Sequence, residues 1–335
     1  MVKKKTLVLI TGATGSVGPL VVKAFHAAGY RIRTLSIAHP SNGDCPDDVE
    51  VFLGDVTDDL VVQAAMEGVE AVVHLAALLH VFNPPLKLRE KYEHVNINGT
   101  ATVVDAAIKE GVKRVVLFST IAVYGQGDGQ VIDEQSPTYP DTFYAQTKLA
   151  AEEIVLNAKR KDNHPLGTVL RLGAVYGSRI KRNYERLTHS LARHHFIPIG
   201  KSLNRRTLVY DKDVGRAAVL AVSHSAAAGQ VFNVTDGMFH SVQEVIVAIC
   251  AALGRKPPRF SLPLPPIRFS AGLIENAAKT FGFKPPINRA TVDKYTEDIA
   301  VSGGKIRKVL GFNPEYDLVS GWQEAVHEMH RNGDF

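Results

Sequence analysis

The stretch TLVLITGATGSVG, from Thr6 to Gly18, decides the fold of this 335-residue chain. The apolar run Thr6–Thr11 is typical of a buried strand, and the amphipathic stretch Val17–Ala28 is typical of a helix. Glycines in a GxxGxxG spacing join the two, where they permit a tight turn and let a pyrophosphate approach the positive end of the helix. A tight strand–helix turn without a ligand is the alternative. The residues of the predicted dinucleotide site are Gly12, Thr14, Gly15, Ser16, Val17 and Gly18.

Short apolar runs alternate with amphipathic stretches through the first half of the chain, as in βαβ units. Several of these runs are apolar on both faces, which indicates helices on both sides of a parallel sheet. The sequence therefore predicts an α/β fold, a doubly wound parallel sheet (Rossmann fold) with a smaller C-terminal substrate lobe. Further strands are predicted at Arg31–Ser36, Val49–Leu53, Ala71–Leu75, Arg114–Ser119 and Thr168–Leu172, and further helices at Asp58–Met66, Tyr92–Glu110 and Tyr144–Lys159.

After Gly177 the pattern changes to shorter elements. Ser241-Val-Gln-Glu244 is a capping box that opens a helix to about Leu253, and the proline-rich segment Lys256–Pro266 predicts no regular helix. Strands are predicted at Arg206–Tyr210 and Val231–Val234, the latter returning to the main sheet. We therefore expect a coenzyme-binding core of residues 1–177 with 207–235, and a substrate-binding lobe of residues 178–206 and 236–335.

Composition excludes several classes of protein. Apolar residues make up 45% and charged residues 22%, which is ordinary for a soluble globular protein. Two cysteines give no disulfide framework and no CxxC pair for zinc, and no apolar run approaches the roughly 18 residues of a membrane span. These features predict a cytoplasmic protein without a metal or a membrane partner.

The charge balance is mildly basic, with 39 basic and 34 acidic residues and a net charge of +5. The basic residues scatter, apart from Lys3–Lys5 and the stretch Arg179–Arg206. Scattered charge predicts no nucleic-acid partner, and it is typical of a solvated surface or of a local site for anionic phosphates.

Tyr144-Ala-Gln-Thr-Lys148 opens a predicted helix, which places the phenol and the ammonium one turn apart on one face. A free phenol has a pKa of about 10, and a neighbouring ammonium favours the phenolate. Thr120, at the carboxyl end of a predicted strand, can hydrogen-bond the same substrate oxygen. An isolated YxxxK pattern is common on protein surfaces. Its position after the strand that ends at Thr120 favours an acid–base site.

The end of the second predicted strand bears on the choice of coenzyme. An acidic residue there would bind the adenosine ribose, but this chain has Leu35-Ser36-Ile37. Ser36, with Arg33 and His39 nearby, could face a 2′-phosphate, or Arg33 could be a surface residue on an edge strand. The predicted cofactor is NAD or NADP, and we favour NAD.

Seven motifs in order cover nearly the whole chain and make it resemble the extended short-chain dehydrogenases/reductases. The resemblance is to the NAD-dependent epimerase/dehydratase kind that acts on nucleotide sugars. The motifs are TGATGSVG at Thr11–Gly18, GDVTD at Gly54–Asp58, HLAA at His74–Ala77, VNINGT at Val95–Thr100, FSTIAVYG at Phe118–Gly125, YAQTK at Tyr144–Lys148 and LRLGAVYG at Leu170–Gly177.

The resemblance implies roles for single residues. Thr120 would be the catalytic hydroxyl, Tyr144 the acid–base, and Lys148 the residue that binds the nicotinamide ribose and tunes the tyrosine. The implied coenzyme contacts are Asp55 and Val56 at the adenine and Leu75, Ala76 and Ala77 at the diphosphate and nicotinamide, with Asn96 holding the backbone behind the site. Two alternatives stay open: His74 as a core histidine, and Asp55 as a simple turn cap.

The second half of the chain resembles nucleotide-sugar sites. Segments at Asn183–Leu187 and Asn204–Tyr210 are similar to those that hold a nucleoside diphosphate in UDP-sugar 4-epimerases, which makes Asn183 and Arg206 candidate phosphate ligands. Arg206 as a surface arginine is the alternative, and Arg289 is a further candidate. Ile121-Ala122 replaces the Asp-Glu of 4,6-dehydratases, so dehydration is not expected. Ala174 replaces an asparagine that many members place before VYG.

The predicted activity is that of an NAD(P)-dependent UDP-hexose 4-epimerase. The alternatives are a 4-keto-sugar-nucleotide reductase, a hydroxysteroid or flavonol-type dehydrogenase, and a coenzyme-sensing binding protein without catalysis. The resemblance also implies a homodimer, in which the helices at Tyr92–Glu110 and Tyr144–Lys159 pair across a two-fold axis. Val103, Val104, Ile154 and Leu156 are apolar residues on these helices.

Overall fold

The computed structural model describes residues 5–79, 85–127, 129–181, 183–281 and 288–335. Lys3 and Lys4 of the N-terminal basic cluster lie outside these residues. Thirteen strands occur in the described part of the chain, numbered in order. They are β1 (Leu7–Thr11), β2 (Arg31–Ser36), β3 (Glu50–Leu53), β4 (Ala71–His74), β5 (Arg114–Thr120), β6 (Val131–Ile132), β7 (Gly167–Leu172), β8 (Ala174–Tyr176), β9 (Arg205–Arg206), β10 (Leu208–Tyr210), β11 (Val231–Val234), β12 (His240–Ser241) and β13 (Ala300–Val301).

Seven of these strands form one parallel sheet in the order β11-β7-β5-β4-β1-β2-β3. The order reverses at β1, between β2 and β4, and ligands of open α/β sheets bind at the carboxyl ends of the strands beside such a reversal. The predicted doubly wound parallel sheet is thus confirmed. Two-stranded pairs of β10 with β8, β12 with β9, and β13 with β6 lie outside it.

Twelve α-helices lie within the same described ranges. They are α1 (Gly18–Ala27), α2 (Asp59–Met66), α3 (Leu86–Tyr92), α4 (Gly99–Glu110), α5 (Phe143–Asn157), α6 (Asn183–Ala192), α7 (Asp211–Ser223), α8 (Val242–Ala252), α9 (Leu264–Phe281), α10 (Arg289–Thr296), α11 (Gly304–Leu310) and α12 (Leu318–Arg331). A π-helical turn spans Glu93–Asn98, and 3₁₀ turns span Ile121–Tyr124 and Ser225–Ala227.

Three predicted elements differ from the structure. The single strand expected at Arg206–Tyr210 is instead β9 and β10, which pair with β12 and β8. The single helix expected at Tyr92–Glu110 is instead α3, the π-helical turn and α4, and the extra residue of a π turn re-aims the side chains around Asn96. The proline-rich segment is free of helix only to Pro263, because α9 begins at Leu264. Pro265 and Pro266 fall in its first turn, where no intrahelical N–H bond is lost.

The core lies on both faces of the large sheet, with a separate cluster in the second half of the chain. One face packs against α1, α7 and α11, and the other against α2, α4 and α5. The separate cluster centres on Trp322, which stacks on Tyr176 with ring centroids 4.7 Å apart. Val103 and Val104, named for the dimer helices, are buried inside the chain, so they are not available to a second copy.

Candidate active site

The glycine turn joins β1 to α1 and brings three strand ends together. Gly12 has φ +70°, and a Cβ there would lie 2.6 Å from the Ala76 nitrogen after β4. The Gly12 N–H donates to the Leu35 carbonyl of β2 at 2.8 Å. A Cβ on Gly18 would lie 2.2 Å from the Ala13 oxygen. Both glycines are therefore required by close backbone packing.

Gly15 differs from the other two glycines of the turn. It is exposed, its φ is not left-handed, and an added Cβ would meet only the Gly12 oxygen at 3.2 Å. Thr14, Ser16 and Val17 beside it are half-buried. The turn is thus an open cradle of backbone at the N-terminus of α1, which fits the predicted pyrophosphate site.

The end of β2 carries a buried hydroxyl. Ser36 is 6% exposed, and its Oγ has no hydrogen-bond partner among the residues that the structure describes. Arg33 points elsewhere, because its guanidinium pairs with Glu50 at 2.6 Å and donates to the carbonyls of Ala65 and Glu67. His39 is exposed. Both expectations for Arg33 are therefore wrong: its guanidinium is engaged with protein groups, its side chain is 12% exposed, and β2 lies between β1 and β3 rather than at an edge. Ser36 remains as a polar group at the end of β2.

Asp55 and Val56 follow β3 and serve local structure. Asp55 Oδ1 accepts hydrogen bonds from the Thr57 N–H at 3.0 Å and from its hydroxyl at 2.9 Å, so Asp55 does cap the turn. Its side chain is nevertheless exposed, while Val56 is 5% exposed and packs beside Gly99. The turn cap thus fixes Asp55 in one position at the sheet edge without excluding a ligand contact.

His74 ends β4 and is fully enclosed, 1% exposed. Its Nδ1 lies 2.7 Å from Thr11 Oγ1 and its Nε2 lies 3.1 Å from Thr100 Oγ1. The Thr100 hydroxyl donates its hydrogen bond to the Asn96 carbonyl at 2.7 Å, so it must accept from His74. His74 is therefore the neutral Nε2–H tautomer and accepts from Thr11. Burial, with the nearby Lys148 charge, lowers the pKa of His74 to about 3.

The same chain of hydrogen bonds reaches the backbone that lines the cradle. Thr11 Oγ1 accepts a long bond, 3.4 Å, from the Ala76 N–H. Asn96 accepts from the Leu78 N–H at 2.8 Å and donates to Thr147 Oγ1 at 3.1 Å, and Thr147 donates to the Tyr144 carbonyl at 2.9 Å. His74 and Asn96 thus lock the half-buried segment Leu75–Leu78 between β1 and α5. This geometry supports the core-histidine interpretation of His74.

Tyr144 and Lys148 stand one turn apart near the start of α5. Thr142 caps the helix by accepting from the Ala145 N–H at 3.2 Å, which fixes where the first turn begins. Tyr144 is half-buried, and its ring meets the buried Tyr92 edge-on with centroids 6.3 Å apart. Lys148 is 2% exposed. Burial lowers the pKa of Lys148 to about 8, against the opposing effect of the Glu152 carboxylate.

Thr120 is the last residue of β5, the strand on which α5 packs. Its Oγ1 accepts from the Ala122 N–H at 3.2 Å, so its proton remains available to a substrate oxygen. Thr120 therefore lies on β5, and Tyr144 and Lys148 lie on α5, which packs against that strand beside the carboxyl end of the sheet.

A buried ion pair behind Lys148 was not predicted from the sequence. Glu152 is 1% exposed and accepts from Arg171 of β7 at 2.6 Å, and it also accepts from the Ser119 hydroxyl. Arg171 lies over the Tyr124 ring, 4.7 Å from its centroid, and Tyr124 donates to Asn233 Oδ1 at 2.8 Å. An arginine inside the apolar strand Thr168–Leu172 was the available signal, because a buried arginine needs a partner.

The three predicted phosphate ligands lie in the second half of the chain. Asn183 is exposed at the start of α6. Arg206 donates to the carbonyls of Lys294 and Tyr295, both at 2.8 Å, at the end of α10. Arg289 is exposed at the start of α10, with its side chain against Gly272 of α9. The structure thus leaves Asn183 open to solvent but engages Arg206 with protein carbonyls.

No group of three or more His, Cys, Asp or Glu side chains in the described ranges is arranged to hold a metal ion. None of the helices in those ranges is long and apolar enough to cross a membrane.

Comparison with known proteins gives consistent matches. The family model described as "NAD dependent epimerase/dehydratase family" matches residues 8–235. A UDP-glucose 4-epimerase of Vibrio cholerae is 30% identical over 95% of this chain and 94% of its own length. A 3β-hydroxysteroid dehydrogenase/Δ5→4-isomerase of Mycobacterium tuberculosis is 26% identical over 95% of this chain and 89% of its own length. A solved structure of MoeE5 with UDP-glucose and NAD is 25% identical in sequence and has a TM-score of 0.75. The match covers 97% of this chain and 99% of MoeE5.

Proposed function

Because the chain belongs to the NAD-dependent epimerase/dehydratase family, whose members are NAD-dependent enzymes, we propose that it is a UDP-hexose 4-epimerase. The observation that carries the proposal is the arrangement on α5. Tyr144 is open to solvent on one side, and Lys148 is buried one turn away with its pKa lowered to about 8. A phenol and an ammonium so placed are suited to moving the proton of a secondary alcohol near neutral pH.

The coenzyme fits the cradle of the glycine turn. Backbone N–H groups of the turn and the N-terminus of α1 would hold the pyrophosphate, and Ser36 and Asp55 would face the adenosine. Bound there, the nicotinamide would supply reversible hydride-transfer chemistry at C4 of the sugar. We favour NAD over NADP, because Arg33, the cation closest in sequence to Ser36, is already paired with Glu50. MoeE5, which has the same fold, was solved with NAD.

The chain's own groups carry the proton chemistry. The Tyr144 phenolate takes the proton of the C4 hydroxyl as the carbonyl forms and gives it back as the carbonyl is reduced. Lys148 favours the phenolate by its charge and would hold the nicotinamide ribose. Thr120 donates a hydrogen bond to the same substrate oxygen. Tyr124 is the other phenol near β5, and it takes no part because its hydroxyl already donates to Asn233.

A second candidate function is that of a hydroxysteroid dehydrogenase, and one observation favours it. Arg206 was expected to bind a diphosphate, but its guanidinium donates hydrogen bonds to the carbonyls at the end of α10. A substrate without phosphate would need no such arginine. The same Tyr144, Lys148 and Thr120 would oxidise a steroid hydroxyl.

Three further proposals accompany the function. The core of residues 1–177 with 207–235 would hold coenzyme, and residues 178–206 and 236–335 would hold substrate. The pairing of β11 with β7 in the main sheet supports this division. A homodimer through α4 and α5 would use the partly buried Ile154 and Leu156. We also propose a cytoplasmic location.

The test is a direct assay of purified enzyme with NAD. UDP-glucose and UDP-galactose are supplied separately and their interconversion is followed by chromatography, while a 3β-hydroxysteroid is supplied in a parallel reaction that follows NADH absorbance. Interconversion of the two sugars without net NADH is the expected result. Steady NADH formation on the steroid, with no sugar interconversion, would establish the second candidate instead. A third reaction supplies NADH and a 4-keto-sugar nucleotide, and oxidation of NADH there, without interconversion of the two UDP-sugars, would indicate a reductase.

A further inference from the structure

The long helix α9 buries small residues and exposes large apolar ones. Its buried positions hold small residues, with Ala271 at 2% and Ala278 at 3% exposure, and Gly272 is buried as well. Two of its large apolar residues face solvent, with Phe269 65% and Leu273 55% exposed, while Leu264 and Ile267 are half-buried. A helix that packs only within its own protein normally buries its large apolar residues. The outer face of α9 is therefore built to contact something else.

More large apolar residues lie on the segments next to this face. Phe260 is 83% exposed in the segment that leads into α9. Leu262 of that segment forms a bridge with Ile199, and the Gly200 N–H donates to the Leu262 carbonyl at 2.8 Å. This contact brings in the segment that follows α6, where Ile197 is 53% exposed. We call the whole surface the apolar ridge; it consists of Ile197, Phe260, Leu262, Phe269, Leu273 and Ile274.

The charge around the apolar ridge is mainly positive, although Glu275 directly follows Ile274. Residues 193–201 and 255–274 contain six Lys and Arg residues and no Asp or Glu. Arg268 is neutralised by Asp293 of α10, at 2.7 Å, and Arg255 is hydrogen-bonded to His194. The other four cations, Arg193, Lys201, Lys256 and Arg259, are exposed.

A cavity of about 430 Å³ on α6 shares Arg193 with this group of cations. Arg186, His189, Arg193 and His195 line it, with Glu185 as its acidic residue. Arg186 and Arg193 belong to the basic stretch Arg179–Arg206, whose members Arg179, Arg205 and Arg206 are engaged with protein oxygens. Arg186 and Arg193 have no role in the proposed reaction.

We propose that the apolar ridge and its surrounding cations dock this protein onto an anionic phospholipid bilayer. Aromatic and aliphatic side chains would enter the boundary between headgroups and acyl chains, while Lys and Arg contact lipid phosphates. Membrane contact at one face needs no spanning helix. The expectation of no membrane partner was based on the lack of an apolar run, which does not detect an amphipathic surface of this kind.

A second copy of the chain is a poorer occupant for this surface. A two-fold interface brings the same patch of both copies together, so Lys256 and Arg259 would face like charges. An anionic bilayer instead complements both the apolar and the cationic parts. The proposal rests on this surface and not on the proposed function, so either can fail without the other.

The experiment uses the full chain and extruded vesicles of two compositions, phosphatidylcholine alone and phosphatidylcholine with about one-third phosphatidylglycerol. Cosedimentation should show binding to the anionic vesicles that weakens as salt is raised, and little binding to the neutral ones. The variant Phe269→Glu/Leu273→Glu should bind at least about tenfold more weakly, since two apolar anchors are lost and two negative charges are added. Leu60→Glu on α2, at a residue 79% exposed, is the matched control and should bind as wild type does.

NAD binding by each variant serves as a check of folding that does not depend on membranes. Failure of the folded wild type to bind anionic vesicles would overturn the proposal, as would an equal loss in Leu60→Glu. Light scattering tests the remaining occupant. If Phe269→Glu/Leu273→Glu converts a dimer to a monomer without changing vesicle binding, the ridge is a contact between copies and the proposal is wrong.

Discussion

Glu152 lies one helical turn after Lys148 on the buried side of α5, and its carboxylate is held by Arg171 from the neighbouring sheet. Burial disfavours the charged form of Lys148, and the Glu152 carboxylate opposes that effect. Arg171 in turn donates to both carboxylate oxygens of Glu152. The Glu152 carboxylate, held by Arg171, therefore favours the charged form of the proposed catalytic lysine against the effect of burial.

Removing one partner of this pair should be costly. We expect Glu152→Gln to lower the free energy of unfolding by about 3–5 kcal/mol, because it leaves the Arg171 charge buried and unpaired. The exposed pair of Lys113 with Glu70, at 2.7 Å, offers a control, and Glu70→Gln should cost less than about 1 kcal/mol. Urea unfolding measures both. Equal losses in the two variants would refute the buried-pair argument, and recovery of stability in Glu152→Gln/Arg171→Met would support it.

Coenzyme affinity should depend on the charge of Lys148. With a pKa of about 8, Lys148 is mainly cationic at neutral pH and mainly neutral well above pH 8. If the ammonium form binds the nicotinamide ribose, the Kd for NAD should rise by about tenfold one pH unit above that pKa. Calorimetric titrations across this range measure the change. Lys148→Met should bind weakly with a flat profile, and an equally steep profile in that variant would assign the pH dependence to another group.

The stability of the fold in acid should depend on His74. Its pKa in the folded chain, about 3, lies below the ordinary 6.5, so the unfolded chain binds more protons between these values. Stability should therefore fall as pH falls from about 6.5 toward 3, by up to roughly 5 kcal/mol from this residue. His74→Gln should be less stable at neutral pH but should lose less on acidification. Denaturant midpoints of both proteins at several pH values test this, and parallel losses would contradict it.

The glycines of the turn should separate folding from coenzyme binding. Gly12→Ala should destabilise the protein by about 1–3 kcal/mol or more, because a side chain would be strained at φ +70° and would collide with Ala76. Gly15→Val should unfold close to the wild-type midpoint and yet bind NAD much more weakly, since its branched side chain fills the cradle. Thermal unfolding and calorimetry give the two readouts. Loss of stability without loss of affinity in Gly15→Val would show that no pyrophosphate lies there.

The sequence predicted most of the sheet because each strand in it has a local signal. Runs such as Leu7–Thr11 and Arg114–Thr120 are apolar and β-branched, and turns or helices bound them at both ends. The π-helical turn before α4 has no such signal, since it depends on how Asn96 is bonded to Leu78 and Thr147. Tertiary contacts decided that element.

Site residues follow the same division. The positions of Tyr144, Lys148 and Thr120 could be predicted because spacing along one helix and one strand end fixes them. The partner of Arg206 could not, since the carbonyls it binds lie 88 and 89 residues further along the chain. Glu152 and Arg171 are likewise brought together by the packing of α5 on β7, which spacing along one element does not reveal.

The most direct test of the proposed function follows UDP-glucose deuterated at C4, with NAD, wild-type enzyme and Tyr144→Phe. We expect UDP-galactose that keeps its deuterium at C4, because the hydride leaves and returns within one site. Tyr144→Phe should be slower by about 10² to 10⁴-fold, with the Kd for NAD nearly unchanged, since only the phenol oxygen is removed. Wild-type enzyme that forms no UDP-galactose would contradict the proposed activity. A Tyr144→Phe rate above about a tenth of wild type would contradict the acid–base role of Tyr144.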